Sequence, residues 1–292
     1  MDLPAPARPL YPKYWAGLDL SLPRIMGILN VTPNSFSDGG SFAGPDAAIA
    51  RGMAMLAAGA DIIDVGGEST RPDAAAVGVA EEIARIVPVI AALARNGARI
   101  SADTRNAATM AAALDAGAVI INDVSALRHD PAALRLVAAR RCPVILMHMR
   151  GTPASMNAEA VYRDVAAEVL AELLRHRDAA LQAGIAAQNI ALDPGFGFAK
   201  LGEQNLALLR ATGRFAACGH PVVVGVSRKR FIGQFGGEAD PKKRLPGSLA
   251  AALYALSLGA SLLRVHDVAE TVQGAKIWRE LTGTPVESVK GP

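Results

Sequence analysis

The 292-residue chain fits one large domain, because an α/β barrel occupies about 250 residues. Hydrophobic residues make up 51% of it and aromatics only 4%, so the core must come from Ala, Val, Ile and Leu, which disfavours an all-β or disulfide scaffold. The net charge of +3 is spread along the chain without basic runs, which argues against nucleic-acid binding and suits anionic small-molecule substrates.

Met1 to Tyr14 is Pro-rich and lacks the apolar stretch of a signal peptide, and no later segment stays apolar for the length of a membrane span. These features predict a cytoplasmic protein with no membrane partner. Residues 1–24 read as an N-terminal extension, 25–283 as the barrel domain and 284–292 as a C-terminal tail.

From there, short β-branched runs alternate with Ala- and Leu-rich stretches, as repeated βα units of a parallel sheet require. Ile25 to Leu29 precedes a helix predicted over Asp46 to Ala58, and Asp61 to Val65 precedes one over Val79 to Asn96. Arg99 to Ala102 is followed by Asn106 to Ala116, and Val119 to Ile121 by Pro131 to Arg140. Val144 to Met147 leads to Ala158 to Ala183, and Ile190 to Leu192 to Glu203 to Thr212. The last two units are Val222 to Val226 with Leu245 to Leu258, and Leu262 to Val265 with Val268 to Thr282. Glycine ends five of the helices just before a strand, at Gly59, Gly97, Gly117, Gly184 and Gly259. The expected architecture is a (β/α)8 TIM barrel; an open Rossmann-like sheet would need a glycine fingerprint that Gly27 to Asn30 does not supply.

The βα connections 31–45, 66–78 and 227–244 are long and polar or Gly-rich. In a barrel these are loops 1, 2 and 7 at the C-terminal face, where active sites are assembled. The third combines Ser227-Arg-Lys with a Gly/Asp tip that reads as mobile, so part of it fits a tolerated surface insertion. Cys142 and Cys218 lie beside apolar residues without metal-ligand spacing and read as two buried, inert thiols.

Polar residues end the apolar runs: Asn30, Asp103, Asn122 and Asp193. Each alone serves as readily as a helix cap; four together favour a polar pocket at the barrel mouth. Lys229 follows the seventh run on a short tether, which favours a ligand contact over a solvated surface cation. Strand alternation sends Arg264 and His266 to one side and Val265 to the other. An Arg fork with a neighbouring His donor after strand eight suits phosphate oxygens. His129, His148, His176 and His220 lack comparable partner spacing and read as structural or surface residues.

The motifs Met26-Gly-Ile-Leu-Asn-Val-Thr-Pro-Asn-Ser-Phe-Ser-Asp-Gly-Gly40, Asp61-Ile-Ile-Asp-Val-Gly-Gly-Glu-Ser-Thr-Arg-Pro72 and Ala102-Asp-Thr-Arg105 carry a closer likeness. They continue in Ile121-Asn-Asp-Val-Ser125, Leu146-Met-His-Met-Arg-Gly-Thr-Pro153, Asp193-Pro-Gly-Phe-Gly-Phe198, Ser227-Arg-Lys and Arg264-Val-His266. In this order and over this span the chain resembles the dihydropteroate synthase family. The resemblance implies that 6-hydroxymethyl-7,8-dihydropterin diphosphate and p-aminobenzoate are joined, with loss of diphosphate, to give 7,8-dihydropteroate. It implies pterin contacts from Asp103, Asn122, Met147, Asp193 and Lys229, and diphosphate contacts from Thr70, Arg264 and His266. The same resemblance gives p-aminobenzoate contacts to Thr70, Arg71, Pro72 and Phe198, and places the carboxylate at the start of the helix after the seventh strand. It assigns catalytic work to Asp38, Arg71 and Lys229, and a Mg2+ cofactor to Asn30. Family members are often dimers, and the apolar face of the last helices would serve a homodimer.

Three positions depart from the family pattern: Asn34 where Asp is common, Ala199 where Gly is frequent, and Arg230 where many relatives have Ser. Two other readings stand beside the first. A pterin-binding methyltransferase domain would also hold the ring with acids and Asn, but has no use for the cations around a diphosphate. A catalytically silent pterin-binding paralogue would keep the pocket without turnover.

Overall fold

Eight parallel strands alternate with helices through residues 11–32, 44–69 and 77–283, which are those that the computed structural model describes. Ahead of them, β1 (Tyr14–Trp15) and β2 (Leu18–Asp19) form a small antiparallel hairpin. The barrel strands are β3 (Arg24–Asn30), β4 (Ile62–Gly66), β5 (Ile100–Asp103) and β6 (Ile120–Asp123), then β7 (Val144–Met147), β8 (Ile190–Asp193), β9 (Val223–Val224) and β10 (Leu262–Val265). Their order from β3 to β8 follows the chain, β10 pairs with both β3 and β9, and a single bridge from Leu192 to Val222 joins β8 to β9 and completes the ring. The helices are α1 (Pro45–Ala57), α2 (Val79–Arg95), α3 (Ala107–Asp115), α4 (Ala133–Arg140) and α5 (Val165–Gln182), followed by α6 (Glu203–Arg210), α7 (Thr212–Ala216), α8 (Arg230–Gly236), α9 (Leu245–Ser257) and α10 (Val268–Thr282). The expected (β/α)8 barrel is the observed one.

Side chains two apart on a strand share a face, and that rule divides each strand here. Ile63, Val65, Ile121, Val144, Leu146, Leu192 and Leu263 belong to the core between strands and helices. The alternate positions point into the barrel, where Met26, Ile62, Ile120, Ile145, Ala191, Val223 and Leu262 form a separate apolar floor. Advancing two residues along those same strands reaches Asp64, Asn122, Met147, Asp193 and Arg264. The barrel is therefore greasy at its base and polar at its mouth, with no change in fold between the two.

The hairpin seals the base. Trp15, Leu18 and Leu20 pack with the floor residues, and Trp15 is 1% exposed, with its indole Nε1 donating to the Asn189 carbonyl at 3.1 Å. Two-residue strands leave no periodicity to read, so the hairpin was not anticipated. At the joints predicted to end in glycine, Gly59, Gly97, Gly117, Gly184 and Gly259 all have φ between +80° and +109°, where a side chain would be strained.

Several boundaries differ from expectation. The fifth helix starts at Val165 and not Ala158, because the Asp164 carboxylate accepts from the Ala167 amide and caps it there. The helix expected over Glu203 to Thr212 stops at Arg210, and α7 follows as a separate turn. The strand expected over Val222 to Val226 contributes only Val223 and Val224 to the ladder. The connection 227–244, read as loop with a mobile tip, contains α8, closed by Gly237 at φ +69°, and a 3-10 turn at Pro241–Lys243. Cys142 is buried as expected, with its thiol pushed up to about 11 by burial, whereas Cys218 is only partly covered. Among the described residues no helix is long and apolar enough to cross a membrane.

Candidate active site

Seven of the residues singled out above line one cavity at the barrel mouth: Asp103, Asn122, Met147, Asp193, Phe198, Lys229 and Arg264. They come from the ends of five strands and two following loops, the placement expected of convergent barrel ligands. Val124, Gly195, Phe196 and Gly225 complete the wall. Asp38, Thr70, Arg71 and Pro72, and with them Asn34, lie outside the described residues. Asn30 ends β3, and His266 directly follows β10; neither lines this cavity.

The inner side of the pocket is organised by Arg264. Its Nε donates to Asp64 Oδ2 at 2.6 Å and its Nη2 to Asp103 Oδ2 at 2.6 Å, so one guanidinium bridges two carboxylates. Burial works against the Arg264 charge, yet Asp64 and Asp103 outweigh it and hold its pKa above the usual range. Sequence reasoning missed Asp64, which is 1% exposed inside the barrel. The signal was available: Asp64 shares the inward face with Ile62 in an otherwise apolar strand, where an unpaired carboxylate would be very costly.

Asp64 also sets the direction of Asn122. The Asn122 amide donates to both Asp64 oxygens, at 3.4 and 3.2 Å, which turns its own Oδ1 toward the cavity as an acceptor. Just beyond, Asp123 accepts from the Ser125 and Leu127 amides at 2.7 and 2.9 Å and folds the chain away from the mouth. Burial raises the Asp103 pKa to about 7 and shifts that of Asp193 upward from its usual value, with Arg264 opposing in both. Two buried acids beside an acceptor amide suit a heterocycle edge rich in N–H groups, which would compensate their lost hydration.

Opposite the acids stands Lys229, whose Nζ lies 4.2 Å from the centroid of the Phe198 ring. It caps α8 and follows Arg228, whose φ of +59° is an uncommon conformation for a side-chain-bearing residue. That turn is locked by Asp267, which takes both the Nε and Nη2 of Arg228, and by Ser248 Oγ, which accepts from the Arg228 amide at 2.9 Å. The strain is spent on aiming Lys229 back over the barrel.

His266 is neutral, its pKa pulled down to about 3 by burial and by Arg228 and Arg264. Its Nδ1 lies 3.0 Å from Ser227 Oγ, and that oxygen also accepts from the His266 amide, which fixes the ring against the seventh βα loop. His148, read from the sequence as structural or surface, is a structural residue: the ring is fully buried and bonded on both nitrogens, to Lys200 and Glu172. Partners 52 and 24 residues away left no mark in local spacing. At the root of the second loop, Arg105 grips Glu68 with two bonds of 3.0 Å.

Ala199, in the loop that follows Asp193, is completely buried with φ +51°. A residue with a Cβ costs about 1–2 kcal/mol there, a strain that glycine would escape. Ala199→Gly should raise stability by roughly 0.5–1 kcal/mol, less than the full relief because glycine also loosens the unfolded chain; urea unfolding midpoints measure it.

The Pterin binding enzyme family model matches residues 26–266. The dihydropteroate synthase of Escherichia coli strain K12 is 47% identical over 261 residues, covering 89% of this chain and 92% of that protein. The Xanthomonas albilineans dihydropteroate synthase with 4-aminobenzoic acid is 48% identical with a TM-score of 0.87, over 92% of this chain and 97% of that one. The same enzyme in complex with 7,8-dihydropteroate aligns with a TM-score of 0.84 at 45% identity, over the same shares of the two chains.

Proposed function

Because the chain belongs to the pterin-binding enzyme family, we infer that it is a transferase with the dihydropteroate synthase activity. It condenses 6-hydroxymethyl-7,8-dihydropterin diphosphate with p-aminobenzoate to give 7,8-dihydropteroate and diphosphate. The observation that carries this reading is the one cavity lined by Asp103, Asn122, Asp193, Lys229 and Arg264 together. The acceptors match the pterin's N–H edge, and the cations match an anionic leaving group.

In this reading Asp193 accepts from adjacent pterin N–H groups, while Asn122 Oδ1 and Asp103 hold the remaining ring edge. Met147 and Phe198 supply apolar contact. As the bond from the exocyclic methylene to the diphosphate oxygen breaks, negative charge collects on the diphosphate, which Lys229, Arg264 and His266 would meet. The p-aminobenzoate amine then forms the new C–N bond and gives up its proton to the released diphosphate. Thr70, Arg71, Pro72 and Asp38 are assigned to p-aminobenzoate and to covering the reactants on family likeness alone. Arg230, exposed at the first turn of α8, stands where relatives offer a Ser hydroxyl, so its backbone amide is left to meet the carboxylate.

A Mg2+ ion is part of the proposal. Among the described residues no group of three His, Cys, Asp or Glu side chains is disposed to hold a metal, and a single Asn oxygen at the mouth suits an ion that takes most of its ligands from water and phosphate. Asn30 would hold it, and it would neutralise diphosphate oxygens.

The test is dihydropteroate formation from the two substrates, with and without Mg2+. We expect product, and a loss of pterin affinity of tenfold or more in Asp193→Asn. Methyl transfer from a methylated folate in place of product would select a pterin-binding methyltransferase, and binding without turnover a silent paralogue. The Lys229 pKa is drawn down to about 8 by burial and by Arg264, against Asp193 and Asp103. The lysine must be cationic to meet the anion, so kcat/KM should fall as pH rises through about 8, and Lys229→Arg, which stays charged, should shift that limb upward.

A second copy of the chain is the partner we assign to the apolar groove between α6, α8 and α9. Leu206, Phe231 and Ile232 line it, and Phe235 and Tyr254 stand 45% and 46% exposed at its edge. Sedimentation should give a dimer, dissociated by Phe235→Asp.

A further inference from the structure

We propose that Lys200 is a positioning residue for the pterin pocket: without touching the ligand, its ammonium draws together the loop after β8 and the end of β7, and so sets where Asp193 and Phe198 stand. The inference rests on the pterin-binding reading given above.

Lys200 is 2% exposed, and its Nζ meets the carbonyl oxygens of Phe198 at 2.8 Å, Gly195 at 3.0 Å and His148 at 3.2 Å. A fourth neighbour, His148 Nδ1, lies at 2.9 Å. Four acceptors around one nitrogen suit an ammonium, which donates three hydrogens and accepts none, better than a neutral amine. Burial pulls the Lys200 pKa well below the usual lysine value while the nearby Asp193 carboxylate opposes it. Carbonyl dipoles that converge on one buried point repel one another unless a cation stands between them.

Two of the carbonyls it gathers, those of Gly195 and Phe198, belong to the pocket wall itself. The Gly195 amide donates to Asp193 Oδ1 at 2.7 Å, and the Phe198 ring carries the Lys229 ammonium on its face. Gly195 and Gly197 have φ +72° and +76°, so the loop has no strand or helix ladder of its own to fix its shape. The approach is also tight: a Cβ on Gly195 would come within 2.0 Å of the His148 carbonyl oxygen.

From Lys200 the chain of contacts runs outward. The His148 pKa is lowered to about 4 by burial and by Lys200, so the ring is neutral, accepting at Nδ1 and donating from Nε2 to Glu172 at 2.9 Å. Glu172 is held in turn by Arg150. Since His148 directly follows Met147, a pocket residue, Lys200 clamps two neighbouring walls of one cavity. A buried ammonium needed only for stability could sit anywhere in the fold; this one takes two of its acceptors from pocket-lining backbone and two from His148, the residue after Met147.

The experiment compares the wild type with Lys200→Met, similar in length but uncharged, by calorimetric titration with the pterin diphosphate. Both are measured at a temperature where circular dichroism shows each fully folded. Val137→Ala, a fully buried change on α4 remote from the cavity, controls for destabilisation alone. We expect the Lys200 variant to bind at least tenfold more weakly, with KM for the pterin raised and kcat at saturation within about threefold, while the control binds as the wild type does. Should methionine prevent folding, Lys200→Gln, which keeps two donors for the carbonyls, is read by the same thresholds. A folded variant that binds within twofold of wild type would reduce Lys200 to a stabilising contact and overturn the proposal. Absence of pterin binding by the wild type would instead overturn the functional reading.

Discussion

Arg264→Ala will lower the stability of the protein by about 3–5 kcal/mol, the usual penalty for removing one partner of a buried ion pair, and will take with it about two orders of magnitude or more of turnover. Arg264 stands between Asp64 and Asp103 with a 2.6 Å bond to each. Without it, Asp64, which is inside the barrel and 1% exposed, keeps only the long bonds from Asn122. The two losses have separable origins. Adding Asp64→Asn removes the stranded charge, so the double variant should recover much of the stability in urea unfolding. Activity should stay low, because the cation and the orientation of Asn122 are both gone. Recovery of turnover in the double variant would show that Arg264 serves only to neutralise Asp64.

The second large effect lies at the opposite end of the barrel. Trp15→Ala should destabilise by about 3–5 kcal/mol, as large aromatic truncations in cores do, since the indole is packed against the floor residues and its Nε1 bond to the Asn189 carbonyl is lost as well. The floor is one inward layer below the polar residues. Below its lowered melting transition the variant should therefore keep kcat and both KM values within twofold, measured in the coupling assay at 25 °C beside a thermal melt. A rise in the pterin KM would mean that the hairpin shapes the mouth as well as sealing the base.

Much of this was legible in the sequence because the strand period carries both core and site. An apolar run ending in Asp or Asn states at once which face is buried and what stands at the mouth, and Asp103, Asn122 and Asp193 lie where that rule put them. Lys229 was found through its short tether to a strand end. Asp64 escaped because it sits inside an apolar run and not after it, and its partners are 58 and 200 residues away. The network of Lys200 and His148 escaped for the same reason: a lone His and a lone Lys mean little until folding sets them 2.9 Å apart. The seventh unit was read too simply, as α8 begins directly at the lysine in a Gly-containing stretch whose helical character depends on packing by Phe231 and Ile232. Asp38, Thr70, Arg71 and Pro72 rest on motif likeness alone.

The barrel is laced unevenly. Neighbouring strands elsewhere share at least two register pairs, but β8 and β9 meet at the single bridge from Leu192 to Val222. This thin seam has Asp193 on one lip and, past β9, Lys229 on the other. A molecule gripped by both is a stitch across the weakest join of the cylinder, so filling the mouth and holding the wall shut become a single linked equilibrium.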